Sequence, residues 1–139
     1  MEVWCQVDQA HPAQQARLEE VLACDPQCTV DRFVLGQVFR NVFENAVEVS
    51  PARAPVTIRC SAVANGSGEE LVIAISDQGP GLSAEQQRRI FEPFFTTKAK
   101  GTGLGMAIAS RIVHSHGGTI TASSPRGACI EIRLPKGDT

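Results

Sequence analysis

Asn41 and Asn45 stand one helical turn apart, so on a helix their side chains point the same way. Asparagine is a mediocre helix former, so two of them in mid-helix invite an explanation. Their carbonyl oxygens are hard ligands suited to Mg²⁺, an ion that shares its shell with water and substrate phosphates. A polar helix edge is the plain alternative, and the pair alone does not exclude it. Further along lies Asp77-Gln78-Gly79-Pro80-Gly81, a carboxylate closing an apolar strand. Such a carboxylate can accept a hydrogen bond from the exocyclic amine of adenine, and Gly79 and Gly81 would let backbone approach a flat ring. Guanine presents an acceptor at that place, and an ionised aspartate has no proton for it. Taken alone, the motif also fits an ordinary strand-ending turn. Lys98 offers a cation for a terminal phosphate, whereas Lys100 reads as solvated. Gly101-Thr102-Gly103-Leu104-Gly105 opens a helical pattern, where freed N–H groups and the helix dipole favour an anion. A dinucleotide fingerprint would need its third glycine at position 106, which is Met106, and no Gly-Lys-Ser or Gly-Lys-Thr ending exists for a Walker A loop.

These residues must be held by elements that the hydrophobic pattern predicts. Residues 17–24 alternate weakly, as a strand would. The longest helical pattern runs from Val30-Asp31 to Val49, with Thr29 or Asp31 as N-cap. Leu35, Val38, Phe39, Val42, Phe43, Ala46 and Val49 form its apolar face, and Ser50-Pro51 ends it. Two alternating segments, Val56–Val63 and Leu71–Asp77, read as a hairpin through Asn65-Gly66-Ser67-Gly68. Ser83–Ile90 reads as a short helix, with Ser83 as N-cap and Gln86 as its capping-box partner. Phe91–Thr102 reads as irregular. A second amphipathic helix is expected over Leu104–His116, capped by Gly117-Gly118, before a final hairpin of Thr119–Ser123 and Ala128–Leu134 turning through Pro125-Arg126-Gly127. Helices interspersed with antiparallel hairpins point to an α/β sandwich, with helices on one face of the sheet.

A length of 139 residues suits one domain with a single core. A net charge of −2 carries no basic surplus of the kind that nucleic acid binding normally needs. The longest apolar run, Leu71–Ile75, is too short to span a bilayer, and no basic-then-apolar leader opens the chain. The five cysteines, Cys5, Cys24, Cys28, Cys60 and Cys129, lack a completed metal spacing and read as reduced thiols, which implies a cytoplasmic setting.

Four strings fall in order along the chain: Asn41-Val42-Phe43-Glu44-Asn45-Ala46, Asp77-Gln78-Gly79-Pro80-Gly81, Phe91-Glu92-Pro93-Phe94-Phe95-Thr96-Thr97-Lys98 and Gly101-Thr102-Gly103-Leu104-Gly105. In order and spacing they resemble the catalytic, ATP-binding domain of sensor histidine kinases, within the Bergerat-fold (GHKL) ATPase superfamily. The resemblance covers about residues 30–135. It implies a two-layer α+β sandwich, with a mixed, mostly antiparallel sheet of about five strands, about three helices on one face, and an ATP lid. It implies ATP and Mg²⁺ as cofactors, with Asn45 on the metal and Asn41 assisting through water or phosphate. Asp77 would read adenine beside Gly79 and Gly81, and Gly101, Thr102, Gly103, Leu104 and Gly105 would line the nucleotide. Glu44 and Lys98 would act with Asn41 on the reacting groups.

The phenylalanine string borders the lid in that family and faces the helices carrying the phosphoacceptor. Met106 stands where leucine is commoner, and Glu48 stands where many members carry a basic residue that meets phosphate. His11 is followed by proline rather than by an acidic residue, and His114 and His116 end a helix, so the phosphoacceptor is expected on another domain. The implied reaction is transfer of the γ-phosphoryl group of Mg·ATP to a histidine on a helical dimerisation domain, and from there to a response regulator. Residues 1–13 would be a connector or strand from that domain, and residues 14–139 the catalytic domain. By itself such a piece would be a monomer with no membrane contact, while its parent could be membrane-anchored. The rivals are another Bergerat-fold ATPase, a serine kinase, or a non-catalytic nucleotide-binding scaffold.

Overall fold

A computed structural model describes residues 17–22, 32–49, 51, 54–66, 68–95 and 103–135. Its elements are β1 (Arg17–Leu22), α1 (Arg32–Val49), β2 (Pro55–Asn65), β3 (Gly68–Ser76), α2 (Ala84–Arg89), α3 (Gly105–Ser115), β4 (Thr119–Ser123) and β5 (Cys129–Pro135). The strands form one five-stranded sheet in the order β1-β2-β3-β5-β4. β1 runs parallel to β2 because α1 lies between them in the chain, and a parallel pair needs such a crossover. The other neighbours are antiparallel: β2–β3 and β4–β5 are hairpins, and β5 pairs with β3 across the intervening α2, α3 and β4.

Alternation puts one face of every central strand into the core. Val56, Ile58 and Cys60 of β2, Leu71, Ile73 and Ile75 of β3, Ile130, Ile132 and Leu134 of β5, and Ile120 of β4 are all buried. They meet Val38, Val42, Phe43, Ala46 and Val47 of α1 and Met106, Ala109 and Val113 of α3. Each fully buried Val, Leu, Ile, Phe or Met among them contributes about 1.5–3 kcal/mol relative to exposure. The opposite sheet face carries the row Arg59, Ala74, Glu131 and Thr121, none of them buried. The two-layer sandwich is thus present, with helices on one face.

The boundaries differ from expectation where backbone pairing outruns the apolar pattern. β2 and β3 extend to a tight connection in which Asn65 pairs with Gly68. Asp77 lies just past β3, and β5 begins at Cys129 rather than Ala128. The apolar face of α1 is also broader than read. Val47 is fully buried, and Val49 is only half-buried. α1 packs on both the sheet and α3, which covers a wider stripe than one contact would. The side chain of Leu35 and both N-cap candidates, Thr29 and Asp31, lie outside the described residues.

The short α2 follows its local signal. Ser83 Oγ accepts the Gln86 N–H at 3.1 Å, and Gln86 Oε1 accepts the Ser83 N–H at 2.8 Å. Glu85 in the first turn and Arg88 and Arg89 in the last complement the dipole. α3 ends as expected at Gly117, whose N–H reaches the His114 carbonyl at 3.0 Å, and Gly118 bonds the Val113 carbonyl at 3.0 Å.

Candidate functional site

Asp77 is the one buried charged or polar residue among the described residues. Its Oδ1 accepts two backbone N–H bonds, from Gly79 at 2.9 Å and from Ala128 at 3.0 Å. Asp77 also donates its own N–H to the Ala128 carbonyl at 2.9 Å. Oδ2 accepts no hydrogen bond from the described residues. The carboxylate is therefore oriented through one oxygen and leaves the other for a ligand. Burial pushes its pKa up from the ordinary 3.8, and the Ala128 and Gly79 N–H groups pull it partly back. The loop after Asp77 rests on the C-terminal end of α1, where a Cβ on Gly79 would come within 2.6 Å of the Val49 carbonyl oxygen.

Near its middle α1 faces the start of α3. A Cβ on Gly105 would lie 3.7 Å from Asn41 Oδ1, so the asparagine sits against the first turn of that helix. Asn41 Nδ2 is buried and has no hydrogen-bond partner, the one such side-chain atom among the described residues. The α3 N-terminus has no side-chain cap at Leu104 and no acidic residue in its first turn. An unspent donor beside an uncapped helix start is an arrangement that an anion satisfies. Asn45 follows Asn41 one turn later on α1 and is half-buried. The structure thus brings Asn41 and Gly105 together, and the second half of α1 links this anion-favouring point to the loop after Asp77.

Glu44 pairs with Arg40 at 3.4 Å along the α1 surface. Lys98, Gly101 and Thr102 lie outside the described residues. The edges of that segment are clamped together: Phe94 donates its N–H to the Gly103 carbonyl at 2.8 Å. Gly103 has φ +74°, and a Cβ there would come within 2.6 Å of Phe94 Cα. Glycine is needed on both counts. Phe94 itself is left-handed, at φ +69°, and 74% exposed. Arg89 lies over the Phe95 ring, 4.8 Å from its centroid, while paired with Glu92 at 2.8 Å and Glu85 at 3.3 Å.

The residues that sequence reading missed lie in the β4–β5 turn. Read as a plain hairpin connection, it supplies the Ala128 contacts to Asp77 and packs Gly127 directly on the Asp77 carbonyl. No local signal marks this, because the partners are 51 positions apart.

The residues fit a Mg-nucleotide: the buried, unpaired amide of Asn41, the carboxamide of Asn45 on the same helix, and an uncapped helix start are suitable chemistry for phosphate and a hard cation. Comparison with known proteins points to an ATPase family. Residues 30–138 match the family described as histidine kinase-, DNA gyrase B-, and HSP90-like ATPase. The histidine-protein kinase AtoS of Escherichia coli K12 is 40% identical over 126 residues, covering 87% of this chain and 20% of AtoS. The nitrogen regulation protein NtrY of Azorhizobium caulinodans is 44% identical over 112 residues, covering 75% of this chain and 14% of NtrY. The chain therefore spans a fifth or less of the length of these two relatives. Among solved structures, the mycobacterial sensor histidine kinase MprB superposes with a TM-score of 0.82 at 29% identity, covering 99% of this chain and 95% of that one. The catalytic domain of the histidine kinase ThkA gives 0.83 at 27% identity, covering 97% and 88%. With its Asn41–Gly105 contact and its oriented Asp77, the chain belongs to the histidine kinase-, DNA gyrase B- and HSP90-like ATPase family, as an ATP-binding catalytic domain of the sensor histidine kinase type.

Proposed function

We propose that this domain moves the γ-phosphoryl group of ATP to a histidine imidazole on a separate helical dimerisation domain of the same parent, releasing ADP. The observation that carries the reading is the buried, unpartnered amide of Asn41 against the uncapped start of α3. Protein catalysis of phosphoryl transfer is mostly positioning and charge stabilisation, so a site without its own nucleophile is sufficient. Asp77 Oδ2 accepts the adenine amine, and Gly79 and Gly81 bring backbone to the ring. Asn41 donates to a phosphate oxygen directly or through water. Gly101, Thr102, Gly103, Leu104 and Gly105 surround the phosphates with N–H groups, and Lys98 meets the terminal one. Asn45 would hold Mg²⁺, which would supply positive charge to offset the negative charge of the phosphates. Glu44 would leave its exposed partner Arg40 to help polarise the reacting groups.

Residues 1–13 would then connect to the dimerisation domain, with residues 14–139 forming the catalytic domain. The parent would pass phosphate to a response regulator in the cytoplasm, and this piece alone would be a monomer. No helix among the described residues is long and apolar enough to cross a membrane. Glu48, exposed on α1, favours a second reading as a nucleotide-binding scaffold, because a carboxylate replaces the usual phosphate-meeting cation. Incubation with γ-labelled ATP, Mg²⁺ and a separately produced acceptor domain decides. Label on the acceptor, lost in Asn45→Ala, supports the kinase. ATP binding without any transfer supports the scaffold.

A further inference from the structure

Ser124, in the turn between β4 and β5, carries a hydroxyl that joins two loops at the base end of the site. Its Oγ accepts the Leu82 N–H at 2.9 Å and donates to the Gly127 carbonyl at 2.9 Å. Leu82 ends the loop that begins at Asp77, and Gly127 lies against the Asp77 backbone and carboxylate. Two left-handed glycines make the approach possible. Gly81 has φ +83° and would place a Cβ onto Ser124 Oγ, and Gly127 has φ +72° and would place one onto the Asp77 carbonyl oxygen. A hydroxyl is suited to this place because it donates and accepts at once.

We infer that Ser124 is a positioning residue for nucleotide-base selection, clamping the Asp77–Leu82 loop to the β4–β5 turn so that Asp77 Oδ2 stays aimed at the base. The inference rests on the reading of Asp77 as the adenine acceptor. Its physical content is a chain of bonds. Ser124 fixes the Gly127 carbonyl, the adjacent Ala128 N–H fixes Asp77 Oδ1, and the Gly79 N–H fixes the same oxygen from the other loop. Without the hydroxyl, the Leu82 N–H and the Gly127 carbonyl lose their partner, and the two loops that hold Oδ1 lose their shared tie. The carboxylate then wanders relative to the adenine amine, whereas the phosphate end, on α1 and α3, is untouched. Ser124 touches neither nucleotide nor reacting atoms in this account. Its effect is felt through Asp77.

The test is calorimetric titration of the full chain, as wild type, Ser124→Ala and Ser124→Thr, with ATP, GTP and inorganic tripolyphosphate, each with Mg²⁺. Ser124→Ala should weaken ATP about tenfold, the effect of losing one well-placed hydrogen bond. Tripolyphosphate affinity should hold, the ATP-over-GTP preference should narrow, and Ser124→Thr should restore both. A folded Ser124→Ala that binds ATP within about twofold of wild type overturns the inference, as does parallel weakening of ATP and tripolyphosphate. A wild type that binds no ATP overturns the underlying reading as well. Amide exchange in the wild type gives an independent check if Ser124→Ala fails to fold. ATP should slow exchange at Leu82 and Ala128, and unchanged rates there would sink the inference.

Discussion

Replacing Asp77 by asparagine separates the cost of the site from its use. The oxygen that holds the loop together accepts the Gly79 and Ala128 N–H groups, and an asparagine Oδ1 can accept both, in bonds that are no longer charge-assisted. What changes is the second oxygen, which becomes an amide nitrogen with two donors. Toward adenine, a charge-assisted acceptor is lost and a donor faces a donor. A hydrogen bond to a charged group contributes about 1.5–3 kcal/mol, which is about a tenfold to hundredfold loss of ATP affinity, with the donor clash adding to it. Toward guanine the change is favourable, because the new donor meets the O6 acceptor, so GTP should gain relative to ATP. Stability should move the other way. Burial raises the Asp77 pKa above 3.8, so the folded protein bears a penalty for the ionised form that the unfolded chain does not. That penalty is fully present above the raised pKa, including at neutral pH. It falls away as pH drops through the raised pKa toward 3.8. Asp77→Asn should therefore be as stable as wild type or more stable at pH 7, with the difference closing in acid. Urea unfolding at several pH values and calorimetric titration of ATP and GTP measure both halves. A variant that keeps wild-type ATP affinity, or that unfolds by several kcal/mol more readily at pH 7, refutes the assignment of one oxygen to structure and the other to ligand.

Other perturbations follow from the same geometry. Ser83→Ala removes one half of the α2 capping box and should cost about 0.5–2 kcal/mol, seen as a lower urea midpoint at unchanged slope. Gly103→Ala drives a Cβ into the Phe94 backbone from a left-handed residue and should cost about 1–3 kcal/mol, with faster amide exchange at Phe94. Phe94→Asn should instead stabilise by about 1 kcal/mol, because asparagine tolerates φ +69° and the exposed ring buries little. A lower unfolding midpoint for Phe94→Asn would show that the ring packs against something that its 74% exposure hides.

What the sequence made legible was what short range decides. The Ser83–Gln86 capping box, the Gly117 cap of α3 and the alternation of Val56, Ile58 and Cys60 depend on neighbours within a few positions, and each is found where expected. The four strings also point to Asn41, Asp77 and Gly105, although spacing alone favours a polar helix edge and an ordinary turn. Contacts between distant elements were not legible. Val47 is buried because α1 packs on two neighbours, which no single-face periodicity expresses. Phe94 is left-handed because Gly103, beyond the lid segment, holds its N–H, and phenylalanine itself gives no hint of that conformation. Ser124 carries no signal in the sequence, because its partner Leu82 lies 42 positions earlier.

The bond between Ala128 and Asp77 also bears on how the protein is made. A chain emerges from the ribosome from its N-terminus, so α1, the Asp77 loop and α3 are all synthesised before the turn that holds the carboxylate. Until Ala128 is out, Asp77 Oδ1 lacks one of its two backbone donors, and β3 lacks its β5 neighbour. With Asp77 as the proposed adenine acceptor, base selection would be among the last properties the nascent chain acquires. Pairings of such long sequence separation are slow to form, and while they are pending the edge of β3 is open to mispairing. ATP added to ribosome-bound chains would distinguish those that have passed this point from those that have not, so that the nucleotide serves as a reporter of completed synthesis.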